Sequence, residues 1–512
     1  MRRFLSGLCF QSQTSRSRSC NSFVLVRQFY NNEAFSLASL DRLTLDAEQC
    51  QQGTTFRDLN RVGCMQRLAR LAIGTVQPDA DATFVSWSLM AALERAGLRV
   101  QRFSAQACFS PRDAACSITG QSTRHLDTWL LEPEACRIML EHGSKSSDVA
   151  LVEGRFESVL SPVEQLGGKL ATVCNWLDLP SIAVVDACLL RDCQLPKRPE
   201  RLDGILIDGA RCCSEQCRLQ TSLEALWGAP VLGFVEDVPQ LRAEVSALPL
   251  GTQPSQALCD SLAAHVLPPL LVARILSLAA QTETTTRRSP TTTAVLPQRR
   301  IRVATAYDEA FHCYFPDTLD QLEILGAEIV DFSPLRDDRI PANSDLVYFG
   351  CGRPDLYVHQ LIENCCMIAS LKRHVEGGGR LYAECGGLAY LGQRIDLPEG
   401  RQIKMSGVLP IVSSIEREPK PPVAVEVNLA SDCWLGETGE MLRGYRNGRW
   451  RIDAAEEAAK SLTEESGNDI LGYHNAIGSR VHLNFAMQPV LLDRLFEPFV
   501  PSQALALQPA RR

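Results

Sequence analysis

Residues 377–393 read GGGRLYAECGGLAYLGQ. Three glycines lead into a short apolar run, then Glu384-Cys385-Gly386-Gly387, then an apolar stretch at helical spacing. That order describes a strand that ends in a sharp turn and passes straight into a helix. Such an elbow presents one side chain at the carboxyl edge of a sheet and needs small neighbours, because the turn is crowded. Gly386 and Gly387 supply them. The start of the helix favours a thiolate, and the N–H that follows the cysteine can help to hold an oxyanion. Cys385 therefore reads as a nucleophile. The plainer alternative is a small buried cysteine at a glycine turn.

Outward from the elbow, short apolar runs alternate with helix-length stretches. IRVATAYD, AEIVDFSP, SDLVYFGCG and GGRLYAECGG are strand candidates within residues 301–500. The same alternation occupies residues 63–280, in RLARLAIGT, RVQRFSA, DVALVEG, PSIAVVDA, LDGILIDG and APVLGFVED. TFVSWSLMAALERAGL has apolar residues at helical spacing and stops at Gly97. Strands separated by helices imply βαβ units, so the expected fold is α/β: two doubly wound, mainly parallel-sheet domains. Residues 281–300, rich in Thr, Pro and Arg, read as a linker, and 501–512 as a tail. LAAHVLPPLLVARILSLAA is interrupted by His265, two prolines and Arg274, and reads as one ordinary packed helix rather than a membrane span.

A cysteine nucleophile needs a base. GSRVHLNFAMQP places His482 in an apolar, strand-like run, with Asn484 on the same side of the strand as an orienting group. A core histidine is the alternative, and His474 in GYHNA is a weaker rival base. The turn Gly350-Cys351-Gly352 ends a strand in YFGCGRPDL and frees backbone N–H groups for a ligand, unless it is an ordinary turn.

Composition limits the rest. The chain has 512 residues, with 45% hydrophobic and 22% charged residues and a net charge of −8. It is globular in class, and no polyanion-binding footprint is present, so nucleic acid is not an expected partner. Residues 1–32 carry Arg and Ser but no acid, within an extension that runs to residue 62. That composition suits a mitochondrial transit peptide, or a plastid one, and implies the mitochondrial matrix. Twenty cysteines are scattered without the paired spacing of a zinc site, so most read as small buried residues and no metal is expected.

YAECGGLAYLG, YFGCGRPDL, YDEAFHCYFPDTLDQLEILGAEIVDFSPL and VHLNF together resemble the glutamine amidotransferase domain of the cobyrinic acid a,c-diamide synthases. The resemblance implies that Cys385 is the glutaminase nucleophile and His482 its base. Gly350, Gly352 and Gly386 then line the glutamine and oxyanion site, with Cys351 replacing a middle glycine. LMAALERAGLRVQRF, GQSTRHLDTWLL, ALVEG, LDLPSIAVVDA and APVLGF resemble the same family's dethiobiotin-synthetase-like domain. The implied cofactors are ATP and Mg²⁺. The implied substrates are glutamine and a corrinoid-type carboxylate, and a homodimer is compatible with the family.

The phosphate loop departs from the family pattern. The Gly-Lys-Thr positions hold Asp81, Ala82 and Thr83, and Asp79 and Asp81 would repel phosphate. Thr83, Asp127 and Glu153 remain at motif positions, Glu153 where a Mg²⁺ ligand belongs. A family asparagine is replaced by Asp208, and LRGYRNGRW keeps Arg443 and Gly444 but loses two histidines. Three functions stay open. The first is an ATP-dependent amidotransferase. The second is a synthetase-dead relative, acting as a glutaminase or an organellar scaffold. The third is a glutaminase-like domain acting on another amide or ester.

Overall fold

The computed structural model describes residues 68–497, apart from 78–79, 111–112, 157–165, 191–195, 250–251, 281–299, 456–458 and 464–467. Asp79, the leader and tail expected at the two ends, and almost all of the expected linker lie outside the described residues.

The first sheet has seven parallel strands. Their order is Arg124–His125, Val100–Ser104, Val149–Arg155, Ala69–Thr75, Ser181–Asp186, Gly204–Asp208 and Val231–Phe234. Strand order reverses on either side of Ala69–Thr75, and helices cover both faces, so the sheet is doubly wound. The central strands read as continuous apolar runs because both faces are buried. The helix Thr83–Arg95 buries ten of its residues, from Phe84 through Leu93.

The second sheet runs Glu328–Phe332, Arg302–Ala306, Leu346–Phe349, Arg380–Glu384, Ala476–Ser479, Ile470–Tyr473 and Lys460–Ser461. The first five are parallel and the last two antiparallel. A separate five-stranded sheet is built on the long antiparallel pair Ile411–Asn428 and Met441–Ala454. Its far edge is the two-residue strand Val481–His482. Sequence periodicity missed this sheet, since its strands mix charged, proline and apolar residues.

Residues of both large sheets belong to one compact unit. Arg124, at the edge of the first sheet, pairs with Asp317 and, at 2.7 Å, with Asp320 on the helix Pro316–Ile324.

Two expectations are corrected. The stretch 262–280 is not one helix: Gln256–His265 and Pro269–Ala279 meet at 88°. Pro268 and Pro269 lack the N–H that would continue the first helix. No single described helix is long and apolar enough to cross a membrane. The cysteines, too, are not mostly buried. Of the fifteen described, five are buried and seven exposed, several on outward helix faces such as Cys213–Trp227.

Candidate active site

The strand Arg380–Glu384 hands directly to the helix Cys385–Leu391, so Cys385 is the first residue after the turn. Its φ is +45°, in the left-handed region that a residue with a Cβ enters only under strain. The side chain is fully buried. Gly386 packs so tightly on the Gly350–Gly352 turn that a Cβ there would come within 2.3 Å of the Gly352 carbonyl. Gly352 in turn would meet the Ala310 carbonyl at 1.9 Å. These glycines bring the elbow and the candidate oxyanion turn together.

His482 is fully buried and faces Cys385, whose Sγ lies 3.9 Å from each ring nitrogen. The Glu384 carboxylate is 3.5 Å from Nδ1, and Cys351 Sγ is 3.4 Å from the same atom. Asn447 approaches the other nitrogen, with Nδ2 3.1 Å from Nε2. Register explains that contact: Tyr445 pairs with His482 across an antiparallel ladder, and Asn447 is the diagonal neighbour on the same face. Asn447 Oδ1 accepts from the N–H groups of Arg449 and Trp450, which fixes the amide's orientation. Its NH₂ must therefore donate to Nε2. That assigns the ring proton to Nδ1, facing Glu384, and gives the Nε2 lone pair to the Asn447 NH₂, so Nε2 takes a proton from Cys385 only as that bond is released.

Burial would lower the His482 pKa, but Cys351 and Glu384 outweigh it and carry it up to about 10. The Cys351 share requires a thiolate, and burial pushes that thiol well up. Near neutral pH the Glu384 carboxylate is thus the group that holds the Nδ1 proton. Burial also pushes the Cys385 thiol up. The resting thiol is therefore neutral, beside an imidazole that Glu384 orients. Asn484 is not the orienting group. The strand ends at His482, alternation stops, and Asn484 Oδ1 accepts from Thr318 Oγ1 at 3.2 Å. His474 occupies a turn at φ +52°, edge-on to Tyr473, and does not line the cleft.

The cleft above Cys385 is lined by Phe109 and Ser110 from the first sheet's segment, His312 and Gly352 from the second's, and Asn447 and Arg449 of the five-stranded sheet. Phe109 stacks on Phe315, with centroids 4.4 Å apart, and stands edge-on to His482 at 4.9 Å.

The other candidate residues fall around the first sheet. The Thr83 N–H donates to Asp81 Oδ1 at 2.8 Å, so the chain's own carboxylate already occupies that N–H. Glu153 accepts from Ser86 Oγ at 2.6 Å and pairs with Arg102 Nε at 2.7 Å. Asp127 is fully buried and accepts from Tyr445 Oη and from the N–H groups of Ala107 and Trp129. Asp208 pairs with Arg242, whose guanidinium lies 4.2 Å over the Phe84 ring.

Residues 302–490 match the CobB/CobQ-like glutamine amidotransferase domain. A cobyrinate a,c-diamide synthase from Syntrophotalea carbinolica is 30% identical, covering 73% of this chain and 84% of its own length. The chain belongs to the cobyrinate a,c-diamide synthase family. The enzymes of that name from Listeria innocua and Methanosarcina acetivorans are each 27% identical, covering 83% and 84% of this chain and 98% and 95% of their own lengths.

The family's ATP and Mg²⁺ can be tested against the donors present. A Mg²⁺ site needs free carboxylate oxygens, and a phosphate loop needs free N–H groups and a lysine. Here Glu153 is paired with Arg102, Asp127 is capped by Tyr445, and the Thr83 N–H is taken by Asp81. Asp127, the Thr83 N–H and a loop without its lysine do not fit the group, whereas Glu153 makes its contacts with Ser86 and Arg102 through Oε2 alone. The cobyrinate synthase resemblance had also pointed to Cys385, His482 and the three glycines, which the fold brings together, and to Thr83, Asp127 and Glu153, which it does not gather at one free site. Glu384, Asn447 and Phe109 were missed. Glu384 could have been noticed as an acid in an apolar run; nothing local marks the other two.

Proposed function

We propose that this chain hydrolyses glutamine through Cys385, His482 and Glu384, and that its first sheet no longer supports Mg-ATP-driven amidation. The observation that carries the proposal is a contrast within the chain. The thiol, imidazole and carboxylate converge beneath an open cleft, while the acids at the ATP positions are spent on Arg102, Tyr445 and backbone.

In the proposed reaction Cys385 Sγ attacks the side-chain carbonyl carbon of glutamine, and its proton passes to His482 Nε2 as that nitrogen releases the Asn447 NH₂. The imidazolium so formed is stabilised through Nδ1–H by Glu384. The developing oxyanion meets the Gly386 N–H beside the Gly350–Gly352 turn. Nε2 then protonates the departing ammonia, leaving a thioester. Water, deprotonated at the same nitrogen, cleaves the thioester to glutamate and restores the thiol.

A second reading has support of its own. Phe109 and Ser110 reach into the cleft from the first sheet's segment, so ammonia formed at Cys385 arises against that segment. Transfer to a corrinoid-type carboxylate is consistent with that wall and with the relatives' names. We further propose the mitochondrial matrix as the site of action, from the basic, acid-free residues 1–32.

The test is ammonia release from glutamine by the purified chain and by Cys385→Ala, with and without Mg-ATP and a corrinoid acid. Nucleotide-independent hydrolysis that disappears in the variant supports the proposal. Corrinoid-dependent ATP turnover favours the second reading. No hydrolysis by folded protein leaves only a binding or scaffold role.

A further inference from the structure

The glutaminase reading makes no use of Cys351. Its two neighbours in the turn, Gly350 and Gly352, are demanded by close backbone contacts, with the Cys313 and Ala310 carbonyls 2.4 and 1.9 Å from where their Cβ atoms would be. Cys351 itself carries a side chain and aims it at the catalytic pair. Its Sγ, Cys385 Sγ and a His482 nitrogen all lie within 4.8 Å of one another. All three residues are buried, yet each lines a cleft whose rim includes the exposed Ser110 and Lys420. A small solute therefore has a route to both sulfurs.

Two chemistries suit such a cluster: a soft metal ion, or oxidation. The sulfur–nitrogen separations of 3.4 and 3.9 Å would suit a tetrahedral ion. A metal on Nδ1, however, moves the ring proton to Nε2, and a ligating histidine needs an acceptor for it. Nε2 faces the NH₂ of Asn447, an amide held in that orientation by two backbone donors. Oxidation needs a proton on Nε2 only in passing, while the Nδ1 proton stays on the Glu384 side.

We propose that Cys385 and Cys351 form a peroxide-sensitive pair, with Cys385 as the thiol attacked first and Cys351 as the resolving thiol. Cys385 passes its proton to His482 Nε2 and attacks one oxygen of a hydroperoxide. The O–O bond breaks, the sulfur becomes a sulfenic acid, and the second oxygen leaves as water or alcohol with that proton. Cys351 then attacks the sulfenic sulfur, the S–O bond breaks, water leaves, and the S–S bond forms. Two thiols lose two electrons in all, and the peroxide gains them. A dithiol reductant reverses the step by exchange. The disulfide itself stands on the sulfur geometry. Its consequence, glutamine hydrolysis switched off and on, rests on the function proposed above.

The experiment uses the full chain, reduced and then treated with hydrogen peroxide. Free thiols are alkylated, the protein is digested, and cross-linked peptides are read by mass spectrometry with and without dithiothreitol. The expected result is a Cys351–Cys385 linked peptide that dithiothreitol removes. Ammonia release should fall at least tenfold as that peptide accumulates and recover on reduction. In Cys351→Gly no linked peptide forms, and Cys385 proceeds to sulfinic and sulfonic acids that dithiothreitol does not restore. The proposal is overturned if wild type gives no such peptide, if Cys351 links to Cys313 instead, or if a tightly held zinc ion protects both thiols. Equal dithiothreitol recovery of Cys385 in Cys351→Gly also overturns it. Absence of ammonia release from the reduced protein, with the linked peptide still forming on oxidation, would sink the glutaminase reading and leave the pair intact.

Discussion

The carboxylate of Glu384 lies 3.5 Å from His482 Nδ1, with both side chains fully excluded from water. The residue immediately before the nucleophile thus fixes the base, although 98 positions separate the partners. Glu384 also accepts from Tyr382 Oη at 2.8 Å and from the Leu483 N–H at 3.2 Å, bonds that glutamine can keep. Glu384→Gln should therefore fold but lose the charge that supports the imidazolium, lowering kcat by about 10²-fold. Burial lowers the His482 pKa, and the Glu384 carboxylate at Nδ1 works against that and holds it up. Without the carboxylate it falls, so the rising limb of kcat/KM against pH moves to lower pH. The sign for stability follows. A raised histidine contributes fully below its unfolded value of about 6.5 and loses that contribution as pH rises through the folded value. The stability deficit of the variant should accordingly be largest below about pH 6.5. A pH–rate profile identical to wild type would remove Glu384 from the mechanism.

Cys385 sits at φ +45° at the start of a helix, where a Cβ costs roughly 1–2 kcal/mol. The chain tolerates that strain because the elbow aims the sulfur at His482. Replacing it should reverse the usual helix preference. Cys385→Gly is expected to be more stable than Cys385→Ala by about 1 kcal/mol, although alanine is ordinarily the better helix former by about that amount. Both should lose at least about 10³-fold in glutamine hydrolysis. Paired urea titrations read the stability difference, and an alanine variant that is the more stable would mean that the elbow is not strained.

Tyr445 links the five-stranded sheet to the first sheet. Its hydroxyl donates to buried Asp127 and accepts the Gly168 N–H at 2.9 Å. Burial raises the Asp127 pKa, and the bond from Tyr445 is the largest effect opposing that rise. Tyr445→Phe leaves the carboxylate short of a donor and should cost about 2 kcal/mol at neutral pH. An acid whose pKa is raised on folding takes up a proton more readily in the folded state, so folding gains as pH falls. The deficit of Tyr445→Phe should therefore shrink toward acid pH. A deficit that does not change with pH would assign the bond a packing role without the charge.

Much of this was legible in the sequence, and the remainder was hidden for physical reasons. Runs such as IAVVD and GILID are apolar throughout because both faces of a central parallel strand are covered, and their order reads directly as βαβ. Cys385 was legible because an elbow needs its glycines next to it in the chain. Asn447 was not, because its role arises from the register that pairs Tyr445 with His482, a relation between strands far apart in sequence. LRGYRNGRW looked merely drifted from the family segment. In the fold its Gly444 is pressed to 2.4 Å, measured from a built Cβ, against the His482 carbonyl, its Tyr445 caps Asp127, and its Asn447 sets the tautomer. Asn484 was expected beside His482 on strand alternation, and that failed because the strand is only two residues long.

A ligand that binds the folded state at one hundred times its Kd stabilises it by about 2.7 kcal/mol. An intact Mg-ATP site of micromolar affinity would therefore announce itself at millimolar nucleotide as a clear rise in melting temperature. Here Asp81 must leave the Thr83 N–H, and Tyr445 must leave Asp127, before phosphate or Mg²⁺ can take their place. A cation at Glu153 would sit beside the buried Arg102 guanidinium, whose charge opposes it. Thermal unfolding with and without millimolar Mg-ATP should coincide, and Arg102→Ala alone should not create a response, because Asp81 and Tyr445 still occupy their partners. A rise matching about 2 kcal/mol or more in the wild-type chain would restore the ATP-dependent amidation reading and overturn the split proposed between the two halves.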